Sequence, residues 1–96
     1  MAKVIRLFDE TGTRESWLFE CPGCGYGHAP HTRGARQLWT FNGDAERPTF
    51  HPSILVFQSE PSRRCHSFVR DGQIQFLDDC FHALKGQTVP LPDVDE

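Results

Sequence analysis

The sequence predicts a mostly β protein: a small zinc-stapled antiparallel sheet or sandwich of hairpins, with at most one short helix. Three features carry that expectation. Asp71-Gly72 lies between two β-rich runs, Cys65 to Arg70 and Gln73 to Asp78, the strongest short signal for a type I′ hairpin. Ser16 to Cys21 alternates, with Trp17, Phe19 and Cys21 on one face and Leu18 and Glu20 on the other. Cys21-Pro22-Gly23-Cys24-Gly25 is a knuckle whose two thiols can reach one tetrahedral metal, with glycines that permit the tight turn.

Along the chain, Lys3 to Phe8 forms a first strand, and Asp9 to Thr13 turns it into the alternating run. That hairpin delivers Cys21 to the metal from the core face. Tyr26 to Arg36 is a loop broken by Gly27, Pro30 and Gly34, carrying His28 and His31. Gln37 to Phe41 is a short strand closed by Asn42-Gly43-Asp44. Pro48 to Pro52 is rigid and extended, because each proline keeps its predecessor out of the helical region. Ser53 to Phe57 is the most apolar strand, with both faces covered.

Counting outward from Asp71-Gly72 pairs Arg70 with Gln73, Val69 with Ile74, Ser67 with Phe76 and Cys65 with Asp78. One hairpin face then holds Cys65, Ser67, Val69, Ile74 and Phe76, and the other His66, Phe68, Gln75 and Leu77. Continued parity brings Cys80 beside Cys65. Asp78 or Asp79 caps a short helix, Cys80 to Lys85, ended by Gly86, and Thr88-Val89 supplies a last edge strand. Residues 1–89 read as a single zinc-binding β domain and residues 90–96 as a loose acidic C-terminal tail.

At 96 residues and 38% hydrophobic content the core is thin, so a metal staple matters. The N-terminus has no long apolar run, hence no secretory signal and no membrane span; the reading is a soluble, cytoplasmic protein whose cysteines are metal ligands, not disulfides. A net charge of −3 argues against nucleic-acid binding through bulk charge. The ligand set is Cys₄, or Cys₃His with His66, His82 or His28 replacing a cysteine; the set chosen is Cys21, Cys24, Cys65 and Cys80, holding a structural Zn²⁺. Four sulfurs close the site and leave no position for a catalytic water. Ser53, His66 and the acidic pair Asp78-Asp79 are residue types from which a serine hydrolase is built, although no G-x-S-x-G elbow is present.

Several blocks occur in a distinctive order: Trp17-x-Phe19-x-Cys21-Pro22-Gly23-Cys24-Gly25, Trp39-x-Phe41-Asn42-Gly43-Asp44, Pro48-Thr49-Phe50-x-Pro52-Ser53-Ile54, Cys65-His66-Ser67-Phe68-Val69-x-Asp71-Gly72 and Asp79-Cys80-x-His82. They resemble a family of small phage and prophage proteins catalogued as a domain of unknown function, over roughly residues 15–92. Some members carry the label "ammonia monooxygenase", for which the chain offers neither spans nor a copper-type site. More distantly, the chain resembles peptidases encoded beside bacterial ubiquitin-like conjugation systems. That resemblance implies a zinc-supported serine-type peptidase acting on ubiquitin-like or other flexible protein tails, with Ser53 as nucleophile and His66 as base. The acidic orienter is then Asp78, Asp79 or Asp44. A protein or peptide partner is implied in either case. The alternative is a non-catalytic zinc-stabilised interaction module, with Trp39, Phe41 and Phe50 as interface anchors.

Overall fold

In the computed structural model, which describes residues 2–94, the chain forms nine strands in two antiparallel sheets, with no helix among the described residues. β1 (Ile5–Phe8), β2 (Glu15–Glu20), β3 (Gly27–His28) and β4 (His31–Arg33) make the first sheet, ordered β1-β2-β3 with β4 also pairing β2. β5 (Thr40–Phe41), β6 (Phe50–Val56), β7 (Cys65–Arg70), β8 (Gln73–Phe76) and β9 (Thr88–Pro90) make the second, in sequence order.

The hairpin around Asp71-Gly72 has the expected register: Arg70 opposes Gln73, Val69 opposes Ile74 and Ser67 opposes Phe76. Both turn residues have positive φ, 51° at Asp71 and 79° at Gly72, as a type I′ turn requires. Cys65, Ser67, Val69, Ile74 and Phe76 are all buried, so this face is the core face. The core lies between the sheets, where Phe19 of β2 meets Phe50 of β6 and Trp17 meets Phe41. Burying each of the largest apolar side chains contributes roughly 1.5–3 kcal/mol.

Three expectations need correction. The last ladder pair is Ser67–Phe76; one more bond in the same register, from Leu77 N–H to the His66 carbonyl at 2.9 Å, follows, and no Cys65–Asp78 pair forms. The segment expected as a helix from Cys80 to Lys85 is a run of bends and turns, because Phe81 N–H and Gly86 N–H are taken by the carbonyls of Arg64 and Phe76, far away in sequence. The segment expected to be loose docks as far as Val94: Leu91 is buried, its N–H donates to the Gly72 carbonyl, and Asp93 pairs with Lys3. Its last two residues lie outside the described residues.

β6 is irregular where it matters. Phe50 pairs with Val69 and Ile54 with Ser67, so four steps on β6 oppose two on β7. The extra residues bulge at His51, Pro52 and Ser53. Parity is conserved across the bulge, which keeps Phe50 and Ile54 in the core while Ser53 turns to the opposite face.

Candidate functional site: a metal cluster behind a serine and a histidine

The knuckle folds as its glycines allow. Gly25 has φ +81°, its N–H donates to the Cys21 carbonyl at 2.9 Å, and the Cys24 N–H donates to Cys21 Sγ at 3.4 Å. The four cysteines form no disulfide. The ligand atoms of Cys21, Cys24, Cys65 and His82 all lie within 4.8 Å of one another. Cys80 is not among them. Its sulfur accepts from the His66 N–H at 3.2 Å and donates to the His66 carbonyl at 3.1 Å. Parity counting placed Cys80 at the metal; the turn after Phe76 breaks that count and brings His82 there instead.

The donor set fits a cation. Cys21 Sγ lies 4.0 Å from Cys65 Sγ, which lies 3.6 Å from His82 Nε2. A tetrahedral site with S–metal near 2.3 Å and N–metal near 2.0–2.1 Å spans about 3.8 Å between sulfurs and about 3.6 Å from sulfur to nitrogen. The sulfurs cannot all ionise by themselves. The hydrogen bond from Cys65 holds Cys21 well below the ordinary thiol range, burial pushes Cys24 upward, and Cys65 is driven upward by the bond it donates. A divalent ion relieves that conflict. Burial lowers the pKa of His82, favouring the neutral ring that ligates metals. The ring sits against Gly23 so closely that a Cβ there would clash with its Cε1.

On the other side of β7, Ser53 Oγ is 3.0 Å from His66 Nε2. His66 Nδ1 is 3.2 Å from Asp79 Oδ2. The order is hydroxyl, imidazole, carboxylate, each in hydrogen-bond reach of the next; of the three acidic residues weighed from the sequence, Asp79 takes the third place. Ser53 comes from the β6 bulge, His66 from the second position of β7 and Asp79 from the turn after β8. His66 is partly covered and Asp79 more open, so solvent and a substrate can reach the group. Cys65 and His66 are adjacent and point to opposite faces, so one strand start serves the metal cluster inside and the imidazole outside. Asp79 and His82 were named from sequence only as alternatives, since their positions depend on a turn without periodicity.

Fold and site together define a small β protein with a Cys₃His cluster that could hold a metal ion and a serine–histidine–aspartate constellation on its surface. The chain belongs to the family described as bacterial ubiquitination-like system serine protease (BubE), which matches residues 2–77. Ser53 and His66 lie inside that match; Asp79 and His82 lie just beyond it. Neither the curated proteins nor the solved structures offer a match to this chain.

Proposed function

We propose that this protein is a serine-type peptidase acting on flexible protein tails, including those of ubiquitin-like proteins, and that a structural Zn²⁺ holds its strands in place. The contact of Ser53 Oγ with His66 Nε2, continued by His66 Nδ1 to Asp79, carries the reading. His66 takes the proton of Ser53 as Oγ attacks the scissile carbonyl carbon. It gives that proton to the departing amine, leaving an acyl ester on Ser53. Water, deprotonated by His66, then releases the acid and restores the hydroxyl. Asp79 holds the imidazole in the useful tautomer and stabilises its charged form.

Cys21, Cys24, Cys65 and His82 would hold the Zn²⁺, which supplies structural cross-linking; the four donors leave no position for a catalytic water. The family description supports a peptidase of a ubiquitination-like system. A cytoplasmic, phage- or prophage-encoded setting with a protein or peptide partner belongs to the same proposal. The aromatic anchors of the alternative interaction module are largely committed to the core: Phe50 is 0% exposed, and Trp39 and Phe41 pack against it.

A fluorophosphonate probe tests the reading. Labelling is expected at Ser53, and loss of labelling in Ser53→Ala. A folded protein that remains unlabelled, or labels equally well as Ser53→Ala, would overturn it.

A further inference from the structure

β6 is bordered by β7 along Ile54, Leu55 and Val56, but β5 reaches its other side only at Phe50 and His51. The hydrogen bonds of His66 decide which way the next peptide groups face. Its N–H goes to Cys80 Sγ and its carbonyl accepts from Leu77 N–H, both away from β6. Leu55 opposes His66. Their pair is therefore of the non-hydrogen-bonded kind, and the N–H and C=O of Leu55 must point out of the opposite edge of β6. The Ser53 carbonyl faces that same edge, where it accepts from Trp39 Nε1 at 3.2 Å. On the Leu55 side β5 stops at Thr40, opposite His51; the Trp39 N–H before it is already taken by the His31 carbonyl, and among the described residues no strand pairs with Leu55 on that edge. An open donor and acceptor thus lie two residues, roughly 6–7 Å, from Ser53.

We infer that this edge is the substrate-docking strand: an extended polypeptide segment pairs its main-chain N–H and C=O groups with Leu55 and runs on past Ser53 Oγ. The inference rests on the peptidase reading and narrows its substrate class to unfolded tails. An extended main chain with free N–H and C=O groups can add to a strand edge, whereas helices and interior strands keep theirs paired, so the folded competitor is limited to another edge strand. The open stretch is short, between the Pro52 bulge and the end of β6 at Val56, so it fits a few residues of a guest and offers little to a long strand of another sheet. Because Leu55 and His66 oppose each other, a guest paired at Leu55 extends the sheet whose outer face carries the imidazole.

The test uses a tetra-alanine diphenyl phosphonate and its singly N-methylated versions, with a small fluorophosphonate as reference. Methylation at one amide is expected to slow inactivation about tenfold or more, and methylation at the next to have little effect, since alternate amides face the edge. Leu55→Pro, which removes the outward N–H without breaking a hydrogen bond to β7, is expected to slow the peptide probe far more than the small probe. Methylated probes that all react within about twofold of the parent, while the small probe still labels Ser53, would overturn the docking strand alone. Absence of Ser53 labelling by the small probe would overturn the peptidase reading with it. A dimer of the unliganded protein that Leu55→Pro dissolves would assign the edge to a second copy and overturn the inference.

Discussion

His66 is gripped at its ring by Asp79 and at its backbone by the next residue, Cys80. Those grips are chemically different. On the proposed mechanism the carboxylate acts on tautomer and charge, so it would be felt in turnover; it is partly exposed, so the pair is worth at most about 1 kcal/mol in stability. Asp79→Asn is therefore expected to cut peptide hydrolysis by about 10²–10⁴-fold with an almost unchanged melting temperature. Equal turnover in the two proteins would remove Asp79 from the mechanism. At this scale the sequence showed the residue types but not the choice among Asp44, Asp78 and Asp79, because nothing local distinguishes three acidic residues in turns.

The first sheet is tied at Glu15, whose carboxylate takes hydrogen bonds from Thr32 of β4 and Arg6 of β1, with Arg33 beside it. The Thr32 bond, then the Arg6 bond, hold its pKa down to about 2, against 4.5 for an ordinary glutamate. A carboxylate lowered on folding adds stability that is fully present above the unfolded value and is lost as pH falls through the folded one. Denaturation of the protein and of Glu15→Gln should thus differ above about pH 4.5 and converge between 4.5 and about 2; the difference is about 1 kcal/mol, since the arginines are half exposed. Parallel curves across that range would show that the tie contributes nothing. The strands themselves were legible: alternation gave β2, and Asp-Gly gave the β7–β8 hairpin with its register. β3 and β4 have two or three residues each, too few for any periodicity, and lie in the stretch expected as loop; β5 occupies only the last two residues of the strand expected from Gln37 to Phe41.

Across the molecule, the Cys₃His cluster brings together the end of β2 in one sheet, the start of β7 in the other and, through His82, the turn after β8, so an ion held there would tie all three. The Cα radius of gyration is 12.9 Å, against about 13 Å expected for a compact chain of 100 residues, so the two sheets form one body. Removing a ligand should loosen both sheets together. His82→Ala is expected to lose bound metal and more than about 10 °C of melting temperature. Cys80→Ala should keep its metal while turnover drops, because it frees the backbone of His66. Metal analysis of the two variants separates them; retention by His82→Ala with loss from Cys80→Ala would restore Cys80 as the ligand.

By itself the sequence determined the β class, the hairpin register and the knuckle, each of which rests on nearest-neighbour or two-residue periodicity that survives folding; Ser53 and His66 as the reactive pair to look for came from the family resemblance. Only the tertiary structure decided that His82 joins the cysteines, that Cys80 holds the backbone of His66 and that Asp79 faces the imidazole. Those three depend on how the chain leaves a ladder. Strand parity carries information only while pairing continues; once Phe76 ends the hairpin, side-chain directions are set by distant carbonyls and by the opposite sheet.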